Sequence, residues 1–195
     1  MGGSAEPRDS AAVATKRRAW RQQSDALDAP AYRITFTSRR DNLNSFNYGK
    51  GRGPDGGEQF YTRDRIDELI PYLSRQNVRG YDVYVTPIDP DHHYLVVDDM
   101  TADTRAALER DGYRPALVQE SSANNQQAVI KSPKAERQDE QSRANDLVQQ
   151  LNQEHGDPEF SGVVHPFRMA GFSNKKPSKS NAFTRIVEAA GGICR

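Results

Sequence analysis

Cysteine is almost missing from this sequence: among 195 residues only Cys194 carries a thiol, next to the end. A lone cysteine excludes an intrachain disulfide and a thiolate zinc site, and it suits a reducing compartment. Long apolar runs are missing too. No stretch approaches the roughly 18–20 apolar residues that span a bilayer, and the mean hydropathy of -0.89 excludes a membrane-embedded protein. Neither charge sign is in excess, with Lys+Arg and Asp+Glu both at 27. Any nucleic-acid surface must then be a local patch rather than a global field. The N-terminus has no signal-peptide h-region, so the chain is expected to stay in the cytoplasm. No internal repeat is visible. The length suits one domain with a real core.

Residues 1–29 are rich in Ala, Ser, Gln and Arg, with KRRAWR at 16–21 as their one feature. They are expected to form a flexible or loosely helical tail, with residues 30–195 as the folded domain. Order begins at AYRITFT, where Tyr32, Ile34 and Phe36 alternate with polar residues as in a strand. About twenty residues of Gly, Asn and Arg follow (38–60) without a period, a length of loop that is usually functional or disordered. Thr62 is an expected N-cap for a helix with Ile66, Leu69, Ile70 and Leu73 on one face; Pro71 is expected to break it. YDVYVTP (81–87) and YLVVDD (94–99) are strands joined by a Pro/Asp/His turn, and Thr101 caps the next helix, which Gly112 ends. Two more strands follow at 115–121 and 127–131, then a helix over about 134–155 ended by Gly156, then short strand pieces. Helices alternating with partly hairpin-paired strands predict an α+β fold around a single, mostly antiparallel or mixed sheet.

The chemistry concentrates at Asp98 and Asp99, which end an apolar strand. Carboxylates are the hard oxygen ligands that Mg2+ prefers, and nucleotide transfer uses divalent ions to neutralise triphosphate charge. Successive side chains of a regular strand point to opposite faces, so the two can act together only where the strand ends or twists. A polar strand end meeting the dipole of the following helix accounts for the pair as well. His92 and His93 beside a tyrosine raise the possibility of a DNA-nicking site, but adjacent strand residues face opposite ways and cannot share a metal.

Three segments together resemble a known family. RGYDVYVTP with HHYLVVDDM, PALVQESSANNQQAVIK and HPFRMAGFSNKK resemble, in order and spacing, the RepB-type plasmid DNA primases, which belong with the archaeo-eukaryotic-like primases. The resemblance runs from about Arg79 to Glu188, and its most specific piece is Arg168 to Lys176. It implies a palm-type catalytic sheet related to the RNA-recognition fold. It implies that Asp98, Asp99 and Asp157 are the catalytic, metal-binding carboxylates for Mg2+ or Mn2+; Asp157 by itself reads as a turn residue between Gly156 and Pro158. Asn125, Gln127, His165, Arg168, Asn174, Lys175 and Lys176 are then the expected nucleotide contacts, although each is also ordinary loop or edge-strand composition. The chain departs from the family at Val129, where the family often has tryptophan, and in its N-terminal third, whose GKGRGPDGG is not a phosphate loop. The helical bundle of the plasmid primases is also missing before Arg195. The chain is thus expected to be a catalytic core or a minimal relative that relies on another subunit.

Template binding needs backbone charge and stacking surfaces, which Arg39, Arg40, Tyr48, Lys50 and Arg52 have the composition to supply. The expected function is priming: metal-dependent, template-directed synthesis of short primers on single-stranded DNA from nucleoside triphosphates, for a plasmid or mobile element. A helicase, an initiator or a helical-bundle domain is the expected partner. Two rivals are a non-catalytic nucleic-acid-binding module and a relaxase-like domain.

Overall fold

The computed structural model describes residues 9–38 and 44–194. The described residues form two four-stranded antiparallel sheets and four α-helices. The α+β class is as the alternation predicts, while the strands divide between two sheets instead of gathering in one. The first sheet holds β1 (Ala31–Ser38), β2 (Ser45–Asn47), β3 (Tyr81–Ile88) and β7 (Phe167–Arg168) in the order β2-β1-β3-β7. The second holds β4 (His92–Met100), β5 (Leu117–Ser122), β6 (Asn125–Pro133) and β8 (Arg185–Glu188) in the order β4-β6-β5-β8. The consecutive strands β3 and β4 are therefore not a hairpin. Between them Asp89 accepts the backbone N–H groups of Asp91 and His92, and this tight turn sends the chain from one sheet to the other.

Helix α1 (Ala11–Leu27) replaces the expected tail. Ser10 caps it, and Trp20 is fully buried, donating Nε1–H to the Arg63 carbonyl and meeting Tyr32 edge-on at 5.0 Å. Its inner face mixes Trp20 and Leu27 with Lys16, Gln23 and Ser24, so no apolar stripe announces it in the sequence. Residues 1–8 lie outside the described residues.

Helix α2 (Arg63–Val78) runs unbroken through Pro71, with Thr62 as its N-cap and Ile66, Ile70 and Leu73 buried. A mid-helix proline removes the hydrogen bond to the carbonyl four residues back, here that of Asp67. Arg17 of α1 fills the gap by donating Nη1 to that carbonyl at 2.5 Å, while Arg17 and Arg21 both bind the Asp67 carboxylate. Docking of one helix thus compensates the break expected in the other.

Helix α3 (Ala102–Arg110) begins with a capping box between Thr101 and Thr104. Helix α4 (Glu140–His155) is shorter than the 134–155 expected, since residues 134–139 form a bend and turn between β6 and the helix. Its Ala144, Val148 and Leu151 pack into the core beside β4. No helix among the described residues is long and apolar enough to cross a membrane.

Candidate active site

A pocket of about 350 Å³ is lined from both sheets and the segments beside them. Tyr84 and Arg168 come from the first sheet, and Asp98, Asp99, Ser121, Asn125 and Gln127 from the second. Asp157, His165, Asn174, Lys176 and Lys179 close it.

The strand objection to the aspartate pair is met by a bulge. Strand β4 pairs evenly with β6 as far as Val97↔Ala128, and the next partners are Met100↔Gln126, so β4 carries one extra residue there. Asp99 takes it up in the left-handed region with φ 59°. Aspartate tolerates that conformation better than most side chains. The bulge lets both carboxylates line one pocket.

Helix α4 secures the same point. Asn152 accepts the Asp98 backbone N–H at 2.9 Å and donates Nδ2 to the Val96 and Val148 carbonyls. Gly156 then lies so close that a Cβ on it would meet the Asp98 carbonyl oxygen at 2.4 Å. Next in the chain, Asp157 donates its backbone N–H to that carbonyl oxygen at 2.9 Å, and its own Oδ1 accepts the N–H of Glu159. A helix end and a strand end are thus tied together, and three carboxylates distant in sequence reach one cavity.

Burial pushes the Asp98 carboxyl above its ordinary range, against hydrogen bonds from the Asp99 N–H and the Gln127 amide, with the charge of Asp99 raising it and that of Lys176 lowering it. Gln127 donates Nε2 to Asp98 Oδ1 at 2.9 Å. Among the described residues no three His, Cys, Asp or Glu side chains converge tightly enough to hold an ion alone. The donor set still fits an oxygen-seeking divalent cation in kind. Mg2+ is usually held by one or two carboxylates together with water and substrate phosphates, not by an all-protein cage.

The basic wall differs from expectation in two places. The guanidinium of Arg168 lines the pocket but is bound to the buried carboxylate of Asp82, Nη1 to Oδ1 at 2.7 Å, and lies over the Tyr84 ring at 5.0 Å. The Lys175 side chain is not in the lining: its Nζ donates to Asn181, and its backbone N–H donates to Asp82. Lys176 does line the pocket, and so does Lys179, which the sequence reading passed over. The signal for it is position: Lys179 ends a single 3-10 turn, Pro177–Lys179, directly after Lys176, and residues three apart in such a turn eclipse. Asn174 donates to the Ser121 carbonyl and accepts the Lys176 N–H, fixing that segment over β5. His165 packs its ring 4.2 Å from Phe160 and faces the Pro166 carbonyl.

The expected template contacts do not gather here. Tyr48 belongs to an aromatic cluster, 5.5 Å from Tyr61 and 5.3 Å from Tyr72, and Lys50 and Arg52 are exposed away from the pocket. Arg39 and Arg40 lie outside the described residues. The two histidines are engaged separately, His92 with Asp89 and His93 with Glu140, which leaves the nicking reading without a shared metal site. Val129 is buried in the sheet and offers no stacking face.

The chain is 34% identical to a DNA primase of Acidithiobacillus ferrooxidans over 154 residues, 79% of this chain and 44% of that one. It is 35% identical over 108 residues to mobilization protein A of Escherichia coli, 54% of this chain and 15% of that protein. The chain therefore spans less than half the length of these curated relatives. Among solved structures, the catalytic domain of the primase RepB′ in complex with initiator DNA superimposes with a TM-score of 0.78 at 23% identity, covering 92% of this chain and 88% of that one. The model of the RepB DNA-primase N-terminal domain matches residues 46–192. That match begins within β2, runs through β8 and takes in every residue named in the pocket, and by it the chain belongs to the RepB DNA-primase N-terminal domain family.

Proposed function

We propose that this domain is the catalytic unit of a primase acting in the cytoplasm. It joins nucleoside triphosphates into short primers on single-stranded DNA, with Mg2+ or Mn2+, during replication of a plasmid or mobile element. The observation that carries the reading is the pocket itself, where Asp98, Asp99 and Asp157 share one lining with Lys176 and Lys179.

When bound, the divalent cation supplies charge neutralisation of the triphosphate and activation of the attacking hydroxyl. Asp98, Asp99 and Asp157 would hold the cation, with Gln127 donating to Asp98 Oδ1. Lys176 and Lys179 meet the oxygens of the incoming triphosphate as point charges. Asn125 and His165 give hydrogen bonds that orient the nucleotide. Arg168, held by Asp82, and Asn174 shape the wall, and the exposed Lys50 and Arg52 meet template phosphates farther out. A helicase, an initiator or a helical-bundle domain supplies what initiation needs beyond this unit.

The test is incorporation of a labelled nucleoside triphosphate on a single-stranded origin template, with Mg2+ or Mn2+, for the wild-type chain and for Asp98→Ala. Metal-dependent primers from the first and none from the second, with DNA binding equal in both, is the expected result. Binding without incorporation, even with partner proteins added, marks a non-catalytic nucleic-acid-binding module instead.

A further inference from the structure

Four polar side chains from four different elements form one unbroken line into the pocket. The backbone N–H of Ala170 donates to Gln23 Oε1 at 2.9 Å, and Gln23 Nε2 donates to Gln119 Oε1 at 2.9 Å. Gln119 Nε2 donates to Gln127 Oε1 at 3.0 Å, and Gln127 Nε2 donates to Asp98 Oδ1 at 2.9 Å. The Arg168 carbonyl accepts from both Gln23 Nε2 and Gln119 Nε2. Gln23 and Gln119 are wholly buried, and Gln127 is 6% exposed.

The direction of this line is not a free choice. A backbone N–H can only donate, so Gln23 must turn its oxygen towards Ala170 and its nitrogen inward. A carboxylate can only accept, so Gln127 must turn its nitrogen towards Asp98. The orientation demanded at one end agrees with that demanded at the other, and the Arg168 carbonyl fixes the middle. Flipping any one amide would set oxygen against oxygen or N–H against N–H. Burying three amides is costly unless every group is satisfied, and an apolar core would have served for packing alone.

We infer that Gln23, Gln119 and Gln127 are positioning residues for the cation-binding carboxylate: a polarised amide relay that holds Asp98 Oδ1 in one direction and so fixes the orientation of the whole carboxylate. The inference rests on the reading of Asp98 as a cation ligand. It makes α1 part of the active site, although α1 precedes the residues 46–192 matched by the family model. Groups that orient a ligand in this way typically change metal affinity about 10–100-fold when removed.

The experiment is Mn2+ binding to the chain without nucleotide or DNA, followed by calorimetry or by the paramagnetic signal of the free ion. Gln119→Met and Gln23→Met keep an unbranched side chain of similar size and remove the amide. Asp98→Ala reports on the cation site itself. Tyr94→Phe, on the same strand as Asp98, loses hydrogen bonds to the Leu27 carbonyl and to Asp89 of the β3–β4 turn and controls for a plain loss of stability. The expected result is no binding in Asp98→Ala, about 10-fold or weaker affinity in Gln119→Met, a smaller loss in Gln23→Met, and unchanged affinity in Tyr94→Phe. Wild-type Mn2+ affinity in both methionine variants, with binding lost in Asp98→Ala, overturns the relay. If Gln119→Met does not fold, wild-type affinity in Gln23→Met overturns it alone. Wild-type affinity in Asp98→Ala overturns the reading of the cation site on which the relay depends.

Discussion

Arg168 and Asp82 form a buried ion pair, with Nη1 2.7 Å from Oδ1 and the carboxylate wholly out of water. The same carboxylate oxygen accepts the Lys175 N–H at 2.7 Å. One charge on β3 therefore anchors both β7 and the segment that carries Lys176 into the pocket. Removing one partner of a buried pair leaves the other uncompensated, at a cost of about 3–5 kcal/mol. Asp82→Ala is expected to lower the unfolding free energy by about that amount. Arg168→Lys should recover only part of it in the same scaffold, since a lysine cannot reproduce the planar fork. Urea denaturation followed by the fluorescence of Trp20, the single tryptophan, gives both values. An unchanged midpoint in Asp82→Ala would show that the pair does not hold the site together.

Gly156 is required by a close approach rather than by a turn. A methyl group there would stand 2.4 Å from the Asp98 carbonyl oxygen and 2.8 Å from Asn152 Oδ1; the carbonyl cannot yield without moving β4, and the Asn152 amide would have to leave its hydrogen bonds to β4. Gly156→Ala is expected to keep its far-UV circular dichroism, to lose about 1–3 kcal/mol of stability and, on the proposed reading, to prime roughly 10²-fold more slowly, the scale of a 1 Å misplacement of reacting groups. Primer yield matched to wild type would mean that the α4–β4 junction has slack.

The sequence carried the α+β class, the caps at Thr62 and Thr101, and the condition that β4 must deform for its two aspartates to cooperate. Each of these is a local property, legible within a few residues. What it did not carry depends on partners far along the chain. Arg168 read as a free cation because Asp82 is 86 residues away. Helix α1 read as a tail because its buried face includes Gln23 and Ser24, whose partners lie on other elements. Pro71 read as a break because the donor that replaces its missing N–H is Arg17, 50 residues from the carbonyl it serves. Tyr48 read as an exposed stacking ring because the rings that enclose it, Tyr61 and Tyr72, come from a later segment and a different element.

The α1–α2 contact has a pH signature. Burial alone would raise the Asp67 carboxyl, but hydrogen bonds from Arg21 and Arg17 and their charges outweigh it and bring it below the ordinary value. A carboxyl depressed in the folded state contributes stability above its unfolded pKa, near 4, and loses that contribution as pH falls through the lower folded value. Wild-type stability should therefore decline below about pH 4. Asp67→Asn should be less stable by about 1–2 kcal/mol at pH 7 and show a shallower acid limb. Parallel acid limbs for the two proteins in pH-dependent denaturant titrations would remove this pair as a source of acid sensitivity.

Lys176 and Lys179 differ from Lys175 in one respect that can be measured. The first two line the pocket, whereas Lys175 turns its ammonium group to Asn181. On the proposed reading, the lining lysines meet triphosphate oxygens, and a hydrogen bond to a charged group contributes about 1.5–3 kcal/mol. Lys176→Ala and Lys179→Ala should each raise the nucleotide KM by roughly 10-fold or more, and added salt should narrow the gap from wild type as it screens the remaining cation. Lys175→Ala should leave KM close to wild type. Steady-state primer synthesis at two ionic strengths separates the three variants. The decisive comparison is between neighbours: if Lys175→Ala costs as much as Lys176→Ala, the triphosphate does not enter between the aspartates and the 3-10 turn.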